Sequence, residues 1–416
     1  MLAFGLAAAL AGSAVIGLLD PIAFLVRGLA EGVVPAVVGV LDVVASALDA
    51  VPVYPLSRAS DGLEIVLGRL DLQPDMTLTT AGVATLVLFG AALLATLWMP
   101  RLYCRAICPL GALTGLLSRW SVFGLEQDED RCTHCGRCTE VCQGASDPEP
   151  GPGRSWLAHE CVTCLNCQAE CPEDALHFRF FPAEPRTAPP DPVDRGRRVL
   201  LASAAGGVLF VAAARTSIQG DPRPRPWAVR PPGALTEERF LERCIRCGAC
   251  IKACPTNVLQ PAMAQAGIEG FYTPVLVPTA GFCETTCVAC TLICPTAALA
   301  PLTVGQKGWE TESPGIKLGT AVIDRGRCLP WANRTPCIVC EEHCPTAEKA
   351  IRLDDVQQVG FDDEPLLLRR PVVDPELCVG CGACEHVCPV AAMPAIRVMA
   401  INESRASDYV PGKLSM

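Results

Sequence analysis

Aromatic residues are scarce in this 416-residue chain, at 5% of the total, and histidines number only five. Positive charge is in deficit: the formal net charge is −10, which argues against nucleic acid as a partner. No G-x-G-x-x-G, P-loop or H-E-x-x-H pattern occurs, so dinucleotide binding, phosphate cradling and zinc-peptidase chemistry have no footing. The absence of C-x-x-C-H excludes covalent c-type haem. No general acid, base and nucleophile form a recognisable constellation. With so few large side chains, the soluble parts cannot rest on a large apolar core.

Cysteine is what the chain has instead. Twenty-four of its 26 cysteines fall into six quartets. These are Cys132, Cys135, Cys138 and Cys142; Cys161, Cys164, Cys167 and Cys171; Cys244, Cys247, Cys250 and Cys254; Cys283, Cys287, Cys290 and Cys294; Cys328, Cys337, Cys340 and Cys344; and Cys378, Cys381, Cys384 and Cys388. Four read C-x2-C-x2-C-x3-C; the fourth opens with a three-residue gap and the fifth with an eight-residue gap. Proline follows the last cysteine in all but the first, where Gln143 stands. Such spacing wraps one face of a cubane [4Fe–4S] cluster with three thiolates, and in two-cluster ferredoxins the cysteine before proline serves the other cluster. With that exchange, Cys132, Cys135, Cys138 and Cys171 hold one cluster, and Cys161, Cys164, Cys167 and Cys142 its partner. Among the last four quartets, sequential pairing and first-with-fourth plus second-with-third both remain open. Disulfides would not call for near-identical quartets with prolines. Zinc sites use two pairs of thiols, often with histidine, where C-x2-C-x2-C crowds three. His134, His343 and His386 lie inside quartets and read as surface or supporting residues rather than ligands. The cofactors expected are six [4Fe–4S] clusters. Metal binding then supplies folding free energy, and the apo form should be poorly folded.

The chain is half hydrophobic, with a mean hydropathy of +0.32. Residues 1–19 and Thr79–Met99 carry no charge and qualify as transmembrane helices; a signal peptide is the less favoured alternative for the first, because no basic region precedes it. Leu29–Tyr54 carries Glu31, Asp42, Asp49 and Pro35, and reads as an amphipathic or re-entrant segment, with a span as the alternative. Cys104 and Cys108 form a separate C-x3-C-P at the mouth of the preceding helix, between Trp98 and Trp120, which suit a membrane interface. They are either buried structural thiols or a redox or cofactor site where quinone can reach. Arg195, Arg197 and Arg198 precede the uncharged stretch Val199–Ala214, which resembles a twin-arginine signal region. By the positive-inside rule, Arg101, Arg105 and these three arginines face the cytoplasm. Residues 101–198 are then cytoplasmic and 215–416 periplasmic, about the inner membrane. The expected class is α+β: transmembrane helices plus ferredoxin-like modules, one two-cluster and one four-cluster. The expected divisions are a membrane region (1–124), a two-cluster domain (125–185), Pro-rich linkers with the twin-arginine-like helix (186–233) and a four-cluster domain (234–416).

The segment MPRLYCRAICPLGALTGLLSR, followed by two quartets, is similar to the membrane-bound ferredoxin family NapH/MauN. The second half, from FLERCIRCGACIKACP to CVGCGACEHVCP, resembles the NapG/MauM ferredoxin family, its C-x8-C spacing from Cys328 to Cys337 being the most specific part. Only one C-x3-C-P is present where NapH-type proteins have two. The resemblance implies a fusion of two subunits that passes electrons from membrane quinol to a periplasmic reductase or cytochrome, a molybdenum enzyme among the candidates. In that reading the chain is a non-catalytic electron-transfer subunit of an oxidoreductase complex. The alternative is a redox-sensing regulator or metal-handling maturation factor; six clusters favour a wire, because a sensor needs one.

Overall fold

The structure is a computed structural model that describes residues 20–49, 80–98, 101–128, 130–149, 156–181, 200–209, 226–263, 265–309, 315–359, 365–390 and 393–406, with a few isolated positions. It divides into two compact units, Met1–Leu25 with Leu86–Val211, and Val26–Thr85 with Ala212–Met416.

The first long helix begins at Pro21, where the Asp20 carboxylate accepts hydrogen bonds from Ile22 N (3.0 Å) and Ala23 N (2.9 Å). It runs through a π-helical stretch, Gly28–Val33, into Val34–Asp49. Pro35 accounts for that stretch. Its ring has no N–H and crowds the carbonyl four residues back, at Glu31; a wider turn at this point relieves the clash without breaking the helix. The expected amphipathic or re-entrant segment starting at Leu29 is therefore part of one continuous helix that starts earlier. Its Pro21–Ala47 stretch is long and apolar enough to cross a membrane by length and composition, as the span alternative required. Thr80–Trp98 forms the helix expected from Thr79–Met99. Its Gly82–Trp98 stretch, and Leu200–Leu209 within the expected Val199–Ala214 segment, are apolar but shorter. Most of residues 1–19, expected to span, lie outside the described residues.

In the first unit, strands β1 (Phe123–Gln127) and β2 (Leu176–Phe180) pair antiparallel, from Phe123 opposite Phe180 to Gln127 opposite Leu176. Their inner face buries Leu125 and Leu176 against Cys138 and Cys167. Thiols thus make up half of this small buried cluster, so the module leans on whatever the thiols bind.

In the second unit the same closure recurs twice. An isolated antiparallel bridge joins Ala234 to Leu299, on either side of the third and fourth quartets. Between those quartets, β3 (Leu259–Pro261) pairs with β4 (Pro274–Leu276). Next, β5 (Thr320–Ile323) pairs with β8 (Ile396–Met399) around the fifth and sixth quartets, enclosing the hairpin of β6 (Ile351–Val359) and β7 (Pro365–Val373). The chain entering each pair of quartets is therefore zipped to the chain leaving it. The third to sixth quartets are built into two such modules sharing one core, in which Phe240, Val258, Leu318 and Ile396 pack among the cysteines.

Candidate iron-sulfur centres

Each regular quartet bends by the same device. The residues just before and just after its second cysteine take positive φ: His134 and Gly136, Thr163 and Leu165, Arg246 and Gly248, Gly380 and Gly382. Successive turns of this kind form a nest, with backbone N–H groups converging on a concavity that suits an anion. Glycine fills the second position in three of the loops because only glycine enters that region freely; Leu165 is the exception. In the irregular fourth and fifth quartets, Val288 (φ −131) and Ile338 (φ −130), each after the second cysteine, are not left-handed.

The structure brings the thiols together in sets of four, three from one loop and the fourth from the partner quartet. One cavity is lined by Cys132, Cys135, Cys138 and Cys171. Its counterpart gathers Cys161, Cys164 and Cys167 with Cys142, whose charge acts on Cys161 and Cys167. Cys294 acts in the same way on Cys244 and Cys250, beside Cys247. Further cavities are lined by Cys283, Cys287, Cys290 and Cys254, by Cys328, Cys337, Cys340 and Cys388, and by Cys378, Cys381, Cys384 and Cys344. The pairing that was open is thus sequential, third with fourth and fifth with sixth. All 26 cysteines are unpaired as disulfides. Among the described residues no three His, Cys, Asp or Glu side chains converge on a single-ion site. The thiols stand around a space instead, as a polynuclear cluster needs and tetrahedral zinc does not.

The surroundings suit thiolates. Backbone N–H groups donate to sulfur from His134 to Cys132 (3.4 Å), Thr163 to Cys161 (3.4 Å), Ala175 to Cys171 (3.3 Å), Ala321 to Cys378 (3.4 Å) and Ala395 to Cys388 (3.4 Å). After the Cys-Pro step, Thr256, Thr296 and Thr346 place hydroxyls 3.6, 3.8 and 3.2 Å from Cys254, Cys294 and Cys344; Ser146 does so at 3.3 Å for Cys142. Proline, valine, isoleucine and leucine complete the walls. Burial in this apolar lining pushes the free thiols up, Cys167 to about 11, and Cys340 and Cys381 to about 12. Ligation needs thiolates, so the charge of bound iron has to offset that burial. Donor set, N–H groups and lining all fit a [4Fe–4S] cluster.

Within the second unit the four sets form a row. Cys254 lines the cavity of the fourth quartet, joining it to the third. The Cys283 N–H donates to the Cys381 carbonyl at 2.8 Å, joining the fourth to the sixth. Cys344 and Cys388 each line the other's cavity, joining the sixth to the fifth. The order is the Cys244 set, the Cys283 set, the Cys378 set, then the Cys328 set.

Cys104 and Cys108 behave differently from each other. Cys108 is buried and caps the helix Pro109–Leu117, its sulfur accepting from Gly111 N at 3.3 Å, while Cys104 is exposed. Gly111 is required there, because a Cβ would meet the Cys104 carbonyl at 2.0 Å. The helix leads to Ala158–Glu160, just ahead of Cys161, with Gly115 against His159.

Sequence reasoning missed two buried groups and one half-buried group around the third and fourth quartets. The Arg230 guanidinium bonds Glu237, Thr273 Oγ1 (2.8 Å) and the Pro274 carbonyl (2.9 Å). Lys307 is fully buried against the fourth quartet. Glu31, on the long apolar helix, lies on the Cys247–Cys250 loop: it accepts from the Tyr272 hydroxyl at 2.5 Å, and a Cβ on Gly248 would stand 2.2 Å from its Oε1. The threonine two residues after the last cysteine, repeated three times, was a readable signal; the others are single residues outside any motif.

Repeated thiol sets on closed two-loop modules define an iron–sulfur electron-transfer protein of ferredoxin type. Sequence comparison agrees. A 4Fe-4S dicluster domain matches residues 124–172 and again 333–392, and a 4Fe-4S binding domain matches 239–260 and 81–126. The ferredoxin-type protein NapG of Escherichia coli is 34% identical over 202 residues, 48% of this chain and 81% of that protein. The methylamine utilization ferredoxin-type protein MauM of Methylorubrum extorquens is 34% identical over 222 residues, 50% of this chain and 90% of that one. The ferredoxin-type protein NapF of Escherichia coli is 29% identical over 172 residues, 40% and 84%. The chain belongs to the NapG/MauM family of ferredoxin-type proteins. The 81–126 match holds only two cysteines, Cys104 and Cys108.

Proposed function

We propose that this chain is a membrane-anchored electron-transfer protein carrying six [4Fe–4S] clusters, one in each set of four thiols, and that it relays electrons between the quinone pool and a periplasmic reductase or cytochrome. The observation that carries this reading is the row of four thiol sets in the second unit, each next to the one before. When bound, such clusters accept and release single electrons. The chain's own residues hold them in sequence, shield them with apolar walls and aim N–H groups at their sulfurs. A sensor has no use for a row.

The N-terminal half is read as a NapH/MauN-type membrane part fused to the NapG/MauM-type part. The Pro21–Ala47 helix supports the anchor, and Glu31 brings that helix onto the Cys247–Cys250 loop. Domain limits follow at 124, 185 and 233. Residues 101–198 are taken as cytoplasmic and 215–416 as periplasmic. Cys104 and Cys108 are proposed to face quinone, with Cys104 the exposed member.

The test is iron and sulfide content with EPR on detergent-extracted protein. Six clusters give about 24 irons per chain, four to each; about eight or sixteen overturns the count. A quinol analogue added with the partner enzyme should reduce the clusters. Clusters that stay oxidised overturn the quinone relay while leaving the count intact.

A further inference from the structure

Between the fourth and fifth quartets a short segment serves to deliver one side chain. The helix Val304–Lys307 is closed at both ends. The Thr303 hydroxyl accepts from Gln306 N at 3.2 Å, and the Gln306 side chain accepts from Thr303 N at 2.9 Å. Gly308 stops it in the left-handed region, and Ile316 N donates to the Lys307 carbonyl at 2.9 Å. The lysine at its end has no exposed surface. An ammonium has three donors, and Lys307 has three acceptors: Cys283 Sγ at 3.4 Å, the Glu284 carbonyl and the Cys287 carbonyl at 2.9 Å. Its charge also stands 3.9 Å from the centre of the buried Trp309 ring. Among the described residues its acceptors are two carbonyls and a thiol, with no carboxylate. A buried cation needs an anion, and a ligating thiolate at Cys283 supplies one.

The irregular spacing of the fourth quartet agrees. Its three-residue gap and the cysteine that closes it carry the two carbonyls that hold the lysine, Glu284 and Cys287, and no residue of Glu284–Cys290 has the positive φ that builds a nest in the regular loops. The ammonium takes the place of the missing backbone donors.

We infer that Lys307 sets the reduction potential of the cluster at Cys283, Cys287, Cys290 and Cys254, raising it above that of the same cluster without the lysine. The inference rests on the cluster assignment proposed above. Reduction adds one electron from the reductant and moves no bond. The added negative charge is stabilised by a cation touching a ligand, in a lining that screens poorly. The lysine thereby deepens the second position in the row of four.

The experiment is an anaerobic EPR-monitored redox titration of the extracted full chain, as wild type, Lys307→Met and Lys307→Arg. At the potential where the wild-type cluster is half reduced, Lys307→Met should lower its reduced-to-oxidised ratio at least tenfold, about 59 mV for a one-electron couple. Lys307→Arg, keeping the charge, should restore most of the shift. Full iron with unmoved potentials in Lys307→Met overturns the inference. Should Lys307→Met lose this cluster, wild-type protein labelled with nitrogen-15 lysine decides. Pulsed EPR of the reduced protein should show a lysine nitrogen coupled to a cluster, and its absence overturns the contact. A wild-type iron count short of six clusters would instead defeat the underlying assignment.

Discussion

The nests make backbone strain measurable one loop at a time. An L residue forced into the left-handed region costs about 1–2 kcal/mol, while replacing glycine by alanine returns about 0.4–1 kcal/mol through the unfolded chain. At Gly136 (φ +75) a Cβ would meet nothing within 4 Å, so Gly136→Ala isolates the strain, and a net loss of about 1 kcal/mol is expected. At Gly382 (φ +89) a Cβ would stand 2.8 and 2.9 Å from Pro278 Cβ and Cγ. Proline cannot swing aside, and overpacking adds about 1–3 kcal/mol. Leu165 (φ +64) is the reverse experiment. Glycine there relieves the strain but gives up entropy and the contacts of a side chain that is 44% exposed, leaving a gain between zero and about 1 kcal/mol. The assay is anaerobic bleaching of the iron–sulfur absorbance in chelator with mild denaturant, with EPR to show which cluster goes first. Since one or two kcal/mol is a factor of about 5–30, Gly136→Ala should bleach its module about fivefold faster than wild type. Gly382→Ala should be faster again in its own module, and Leu165→Gly equal to wild type or slower. Gly136→Ala at the wild-type rate, or Gly382→Ala no worse than Gly136→Ala, would refute the strain argument.

Two further outcomes follow from named contacts. Cys171→Ala should empty the set of Cys132, Cys135 and Cys138 and spare that of Cys161, Cys164 and Cys167, with Cys142→Ala doing the opposite; EPR of each variant reads this, and loss of a variant's own-loop cluster would reject ligand exchange. Arg230→Met should cost about 3 kcal/mol, toward the lower end for breaking a buried ion pair, because Glu237 is 44% exposed and also pairs with Arg405 at 3.5 Å. Glu237→Gln should cost less than about 1 kcal/mol, and equal losses from the two in a thermal scan would show that the carbonyl and hydroxyl contacts of Arg230 carry no weight.

How much of this was legible varied with the range of the interaction. Spacing announced the thiols because a loop around a cluster is local: the flanking left-handed residues and the proline sit within a few positions of the ligands. The helix Thr80–Trp98 was equally local, an uncharged run. In sequence the helix from Pro21 reads, from Leu29 onward, as an amphipathic or re-entrant segment with a span as the alternative, because Pro35 and three acidic residues interrupt the apolar run. A π-helical turn accommodating Pro35 has no sequence signature of its own. The order of the last four quartets was closed to sequence because it depends on strands pairing across tens of residues, Thr320–Ile323 with Ile396–Met399 being the clearest. Lys307 was invisible for the same reason: 24 residues separate it from Cys283.

The departures from regularity are where the chain does something beyond holding iron. A module of two regular loops, such as the first, is nearly symmetric: both loops carry the same pair of left-handed positions, differing in Leu165 where the other has Gly136. Each module of the second unit joins one regular loop to one irregular loop, so each is asymmetric by construction. In the third-and-fourth module the irregular loop trades left-handed donors for a buried ammonium. In the fifth-and-sixth module the eight-residue gap carries Trp331, held between Arg325 at 4.3 Å and Arg370 at 4.7 Å. The regular loops, led by Cys244 and Cys378, alternate with the irregular ones along the row. In the proposed relay, positions that differ electrostatically would give each electron a sequence of unequal steps. The irregular quartets, which at first look like degraded copies of a motif, would then be where the potential profile is set, as inferred for Lys307 at the fourth.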